Sequence, residues 1–148
     1  MNASHRVCTE LVPTYSNFKE LKKKTFTGYK LVEEKGGNFY SIVSGLFRYR
    51  PKMVSENSYH SLYQSGGNTK TFNEDLINKV AIFKSKEEAY SSLKHYDDYE
   101  EYYNEKLALL EIKIKGNLLI GEYHNCFCEN AIVVAGEIID TVKKIPLI

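Results

Sequence analysis

Apolar and polar residues alternate most clearly in residues 107–115. Every second side chain of this segment is apolar, a pattern typical of a strand with one buried face. Glu111 and Lys113 stand between the apolar residues, so we expect them to point towards the other face. Gly116 and Asn117 follow and predict a turn. The predicted buried face consists of Ala108, Leu110, Ile112 and Ile114.

Further strands are predicted on both sides of this segment. Residues 28–44 form the clearest hairpin, because Gly36 and Gly37 adopt the positive φ angles of a tight turn at little cost. Short apolar or alternating segments predict the remaining strands. They are Val80–Phe83 and residues 118–123, 130–135 and 137–145.

One segment has the periodicity of a helix. Ser85 is a favourable N-cap, and Glu88 stands at the reciprocal position of a capping box. Apolar and aromatic residues then recur at helical spacing as far as Tyr103. The pattern also permits a shorter helix over residues 16–24, with Ser16 as its N-cap.

The order of these elements predicts the fold class. A hairpin, a long loop, a strand, a helix and then three or four strands indicate an α+β fold with a largely antiparallel sheet. It would contain one main helix and one long loop, over residues 50–79. The chain has 148 residues, close to the commonest size of one domain. We expect residues 1–148 to form a single domain, with 1–27 as a loosely packed N-terminal segment.

Composition excludes several classes of function. A hydrophobic share of 43% and a charged share of 26% are typical of a folded, soluble protein. The net charge of +1 does not indicate binding to nucleic acid, and no apolar run is long enough to cross a membrane. The three cysteines are too few for a disulfide framework, so we expect a reducing, cytoplasmic location. The high share of Lys, Asn, Tyr and Ile is compatible with an AT-rich, including a viral, genome.

The most metal-like segment contains His124, Cys126 and Cys128, which would point the same way on a strand. Zinc requires four ligands, and His5 and Cys8 could complete the set only if the N-terminus folds back beside this strand. Small buried cysteines and a surface histidine explain the same residues without a metal. We therefore expect no metal site.

Two surface features are candidates for binding. Arg48 and Arg50 stand at the entrance of the long loop and can offer forked donors to an anion, and Tyr29 is expected nearby. We predict that the loop, Arg48 and Tyr29 form the ligand or partner surface, although the arginines could also be the charged face of an edge strand. Residues 95–105 are acidic and tyrosine-rich, which fits either nucleic-acid mimicry or a helix that packs on the core.

The second half of the chain resembles the ADP-ribosyltransferase-like fold. The segment VAIFKSKEEAYSSL is similar to the family's strand and Ser-capped helix, and LALLEIKIKGN and ENAIVVAGEI are similar to the two strands that follow. The resemblance implies that Glu129 is a catalytic glutamate that steadies the nicotinamide ribose of NAD. It places Ile82 or Phe83 near the nicotinamide and Tyr29 where the family carries a His or Arg.

Two functions follow. The first is a non-enzymatic binding or accessory module with a protein partner and no cofactor. The alternative is a small nucleotide-handling enzyme related to ADP-ribosyltransferases, with NAD as its cofactor and a degenerate site around Glu129. The candidate ligand-binding residues are Tyr29, Arg48, Arg50 and Phe83.

Overall fold

A computed structural model of the chain describes residues 14–41, 48–52, 76, 79–91, 107–124 and 131–146. These residues form one sheet of eight strands and one short helix, α1 (Lys86–Ser91). No helix within these ranges is long and apolar enough to cross a membrane. The strands are β1 (Thr14–Glu20), β2 (Thr25–Lys35), β3 (Asn38–Tyr40), β4 (Val80–Phe83), β5 (Leu107–Lys115), β6 (Leu119–His124), β7 (Ala131–Gly136) and β8 (Ile138–Ile145).

The strands lie in the order β1-β6-β7-β4-β2-β5-β8, and β3 pairs with β2 as a hairpin. Every ladder between neighbouring strands is antiparallel. The predicted antiparallel sheet is therefore confirmed. The α+β assignment is confirmed only in part, because the described structure is largely β with one short helix. Most of the predicted long loop lies outside the described residues.

The interior strand β5 has one fully buried face, whereas its other face is buried only at Leu109. Ala108, Leu110, Ile112 and Ile114 are buried on one face, as the alternation predicted, whereas Glu111 and Lys113 remain partly exposed. Leu109 is buried on the opposite face, together with Leu31 of β2 and Ala89 of α1. β5 lies between β2 and β8 in the sheet, and its buried side chains belong to two apolar clusters, one for each face.

The short helix permitted by residues 16–24 is wrong, because Thr14–Glu20 forms β1 and pairs with β6. A bulge lies between Ser16 and Lys19, and Asn17 within it has a φ of 57°. The bulge adds a residue to the strand, so Tyr15 and Phe18 pack in the same apolar cluster although they are three positions apart. Apolar residues three positions apart are also typical of one face of a helix, which explains why the sequence permitted a helix here.

The predicted N-cap of α1 is confirmed. The Glu88 backbone N–H donates to Ser85 Oγ at 3.1 Å, and the Ala89 N–H donates to the Ser85 carbonyl at 3.2 Å. The Glu88 carboxylate accepts from Ser85 Oγ at 3.2 Å and from the Ile132 backbone N–H at 3.0 Å. It therefore ties the start of the helix to β7. The predicted continuation of the helix to Tyr103 lies outside the described residues.

Replacing Ser85 with alanine is expected to lower the free energy of unfolding by about 1 kcal/mol, because the Glu88 N–H loses its acceptor. The shift of the denaturant midpoint measures this loss. Lys86→Ala is the matched control, since Lys86 is exposed on the same helical turn. Equal stability of the two variants would contradict the capping role.

Candidate functional site

The sheet divides between β2 and β4. The ladder between these strands contains the single residue pair Tyr29–Phe83, whereas β2 pairs with β5 along its length and β4 pairs fully with β7. We define the β2–β4 junction as Gly28, Tyr29 and Lys30 of β2 with Ala81 and Phe83 of β4. The hairpin strand β2 and the strand β4 are therefore neighbours in the sheet.

Gly28 allows the close approach of the two strands. A Cβ atom at this position would collide with the Phe83 carbonyl oxygen and would lie 2.8 Å from Ile82 Cδ1. Only glycine leaves room for the β4 backbone at this point. Immediately beyond the contact the strands separate, and the first β2 side chain after the Tyr29–Phe83 pair is that of Lys30.

Lys30 crosses the gap between the strands. Its Nζ donates to the Ala81 carbonyl at 2.9 Å, and it lies 5.9 Å from the centroid of the Phe83 ring. The ammonium gives that carbonyl a donor where the ladder between β2 and β4 supplies none. The distance to the ring is within the range of a cation–π contact.

The charge of Lys30 is incompletely compensated. Burial lowers the pKa of its ammonium to about 8 from an ordinary value of 10.5. The residue as a whole is partly exposed. Its ammonium is therefore buried more deeply than the rest of the side chain. No carboxylate among the described residues lies within ion-pair distance of it. The junction therefore holds a cation that an anion would stabilise.

A row of aromatic rings extends from the junction to β1. The Phe83 and Tyr123 rings meet edge to face with centroids 4.9 Å apart, and Tyr123 meets Tyr15 in the same way at 5.7 Å. Phe18 continues the row at 6.2 Å from Tyr15. Burial raises the pKa of the Tyr15 hydroxyl well above its ordinary value, and the nearby Tyr49 adds to the increase. The junction is thus bounded on one side by a packed row of aromatic side chains.

The structure brings together some of the predicted site residues and separates others. Tyr29 and Phe83 are direct cross-strand partners. Arg48 lies beside β3, where its Nη2 donates to Asn38 Oδ1 at 2.6 Å, and Arg50 is exposed.

The strand geometry sets the distance between Arg48 and Tyr29. Arg48 forms a bridge with Tyr40, which pairs with Glu33 four residues along β2 from Tyr29. At ~3.3 Å per residue this spacing is roughly 13 Å along β2, and the two strand steps from β2 through β3 to Arg48, at ~4.8 Å each, add roughly 10 Å across the sheet. The two residues predicted to share a surface therefore stand about one short strand apart.

Several predicted features lie outside the described residues. They are Glu129, the cysteines Cys126 and Cys128, the tip of the long loop and residues 95–105. Within the described residues no group of His, Cys, Asp and Glu side chains is suited to hold a metal ion. His124 is described, and its Nε2 lies 3.0 Å from Ser16 Oγ.

Sequence reasoning missed Lys30. A signal was present, because Lys30 alternates with Gly28 and Val32 and Val32 is fully buried. A lysine at a position whose neighbours on the same face are buried is uncommon and marks a constrained charge. The separation of β2 from β4, which makes room for the side chain, involves residues 51 positions apart in the chain.

Comparisons of the chain with protein-family models, with curated proteins and with solved structures find no match. The resemblance to the ADP-ribosyltransferase-like fold stays a prediction from the order of elements. Function depends on the chemistry of a site, and the candidate site of this chain is the β2–β4 junction.

Proposed function

We propose that the protein is a non-enzymatic binding module that receives an anionic group of its partner at the β2–β4 junction. The observation that carries this proposal is the partly buried Lys30 ammonium, which no carboxylate of the described residues compensates. Desolvation of a cation costs free energy unless an anion or strong acceptors surround it. A carboxylate or phosphate at this point would offset that cost.

A purely structural role for Lys30 explains less of the geometry. The Ala81 carbonyl requires one donor, and Lys30 supplies it at 2.9 Å. An ammonium carries three N–H groups, so further donors remain for a ligand. The adjacent Phe83 ring and the aromatic row behind it also exclude water on one side, which strengthens a charge–charge contact.

The test is a thermal-shift titration of the full chain with acetate and with inorganic phosphate. An anion that binds only the folded protein stabilises it, by about 2.7 kcal/mol at a concentration 100 times its Kd. We expect a rise in the melting temperature of the wild-type protein that Lys30→Met abolishes. The control Lys143→Met removes an exposed lysine of β8 and should keep the rise. Identical responses of wild type and Lys30→Met would contradict the proposal.

The second candidate is the nucleotide-handling enzyme with NAD as its cofactor. The pairing of Tyr29 with Phe83 favours it, because the resemblance assigns both residues to the dinucleotide cleft. Adding NAD to the same titration distinguishes the two functions. A rise with NAD alone that Glu129→Ala abolishes supports the enzyme, whereas a rise with acetate or phosphate that depends on Lys30 supports the binding module.

A further inference from the structure

We propose that a basic patch at one end of the sheet binds the phosphate backbone of a nucleic acid without reading its base sequence. The patch is separate from the β2–β4 junction and does not include Lys30, so this inference does not depend on the proposed anion site. It consists of five lysines, namely Lys22, Lys23, Lys24, Lys113 and Lys115.

Two chain connections bring these lysines together. Residues 21–24 connect β1 to β2, and residues 116–118 connect β5 to β6. The connections lie side by side, because the Leu21 backbone N–H donates to the Leu118 carbonyl at 2.9 Å. The three exposed lysines of the first connection therefore lie beside the end of β5.

On the sheet itself, threonine and lysine side chains stand directly opposite one another. Thr25 pairs with Lys115, and Thr27 pairs with Lys113. Both threonines and Lys115 are exposed, and 42% of the Lys113 side chain is accessible. The two lysines point to the same face and are roughly 6.6 Å apart along the strand. Each ammonium thus has a neutral hydroxyl donor beside it, and both groups commonly contact phosphate oxygens.

Ammonium groups outnumber carboxylates in the patch. The two oxygens of Asp140 lie 3.8 Å from Lys113 and from Lys115, so one carboxylate faces two cations. Glu137, in the adjoining turn, pairs instead with Lys79 at 3.7 Å. A positive surplus therefore remains on the exposed surface, where it attracts anions from solution.

The net charge of the whole chain does not reveal this patch, because it sums over all residues. The acidic run in residues 97–101 offsets most of the patch in the total of +1. Within the patch, Glu20 lies two positions before Lys22 and compensates one further charge. Local clustering of lysine, rather than net charge, is the electrostatic feature that a phosphate backbone recognises.

The chemistry of the patch favours a nucleic acid over an acidic protein or a membrane. The apolar residues of the same segment, Leu21 and Phe26, pack against the core instead of projecting from the surface. The patch therefore offers charges and hydroxyls without the apolar anchors that protein interfaces and membrane-surface helices use. A row of phosphates is the partner whose affinity comes from charge alone, and it requires no contact with the bases.

The experiment is a titration of a fluorescently labelled, short DNA duplex with the full chain, followed by fluorescence anisotropy at several salt concentrations. If about three phosphates are neutralised, the log–log slope is about −2.7, and Kd rises roughly 40-fold between 50 and 200 mM salt. The double variant Lys113→Gln with Lys115→Gln should weaken the slope to about −1. The double variant Lys22→Gln with Lys23→Gln should do the same, because it removes the same number of charges from the other part of the patch.

Two further variants separate the patch from a general effect of charge. The control double variant, Lys84→Gln with Lys86→Gln, removes the same charge from exposed positions beside α1 and should leave the slope unchanged. Asp140→Asn removes the carboxylate that competes with phosphate for Lys113 and Lys115. Because exposed ion pairs are weak, it should tighten binding by up to about fivefold.

Three results would overturn the inference. The first is no binding at 50 mM salt up to about 100 µM protein, since sequence-independent binders reach Kd values of about 10⁻⁴–10⁻⁶ M even at physiological salt. The second is an equal loss of slope in the control double variant. The third is an oligoglutamate peptide that binds as tightly as the duplex, which would assign the patch to an acidic protein partner. All these variants keep Lys30, so the outcome is distinguishable from that of the anion titration.

Discussion

Replacing Gly28 with alanine is expected to destabilise the protein by about 3 kcal/mol, because the added methyl group would overlap with the backbone of β4. The Cβ would collide with the Phe83 carbonyl oxygen and would lie 2.8 and 2.9 Å from the Ile82 side chain. Ile82 is fully buried and cannot move aside. The strands β2 and β4 must therefore separate, which breaks their single ladder pair.

Equilibrium unfolding in urea measures the effect of Gly28→Ala. Thr27→Ala is the matched control, since Thr27 is exposed on the preceding position of the same strand and should change stability by less than about 0.5 kcal/mol. Because the junction is displaced, Gly28→Ala should also reduce the anion-induced rise in melting temperature. A variant as stable as Thr27→Ala would show that β2 and β4 are not in close contact.

The second large effect is expected from Ile112→Ala in the centre of β5. Ile112 has no exposed surface and packs in the cluster that contains Leu110, Ile114 and Ile82. Removing its branched side chain loses transfer free energy and leaves a cavity, for a total of about 2–5 kcal/mol. The neighbouring Lys113 is partly exposed and pairs with Asp140 at 3.8 Å, so Lys113→Ala should cost under about 1 kcal/mol.

The comparison of Ile112→Ala with Lys113→Ala tests the register of β5 directly. A one-residue slip would exchange the buried and exposed faces of the whole strand. If Lys113→Ala proves to be the more damaging substitution, the register is wrong. Denaturant midpoints of the two variants, measured at one pH, decide between the two registers.

Local patterns predicted the regular part of the sheet well. Alternation identified the buried face of β5, and the Gly36–Gly37 pair identified the hairpin turn, where both glycines have positive φ. Ser85 identified the start of α1. Each of these features depends on residues within a few positions of one another, so a single segment of sequence contains the information.

Features that depend on contacts between distant residues could not be predicted from a single segment of the sequence. The bulge in β1 changes the spacing of its apolar residues from two to three, and pairing with β6, more than 100 positions away, makes it a strand. Gly28 allows β2 and β4 to come into contact at Phe83, and the two strands stop pairing beyond this point. The sequence therefore indicated the pair Tyr29 and Phe83 but not Lys30 between the separating strands.

The predicted arginine surface illustrates the same limit. Arg48 stands at the entrance of the long loop that follows the hairpin, and it was predicted to form one surface with Tyr29. The short β3 pairs with the far end of β2, at Glu33–Lys35, and carries Arg48 away from the junction. Its guanidinium donates to Asn38 instead.

The most direct measurement of the anion site is the pKa of Lys30 in the free and the anion-saturated protein, followed by NMR with lysine labelled in the side chain. We expect a pKa of about 8 without ligand, because burial opposes the charged form. Saturation with acetate or phosphate should raise this pKa, because a bound anion stabilises the ammonium. The labelled signals of Lys143, exposed on β8, should not respond to either anion. A Lys30 pKa that stays near 10.5 in the free protein, or that does not respond to either anion, would contradict the anion site.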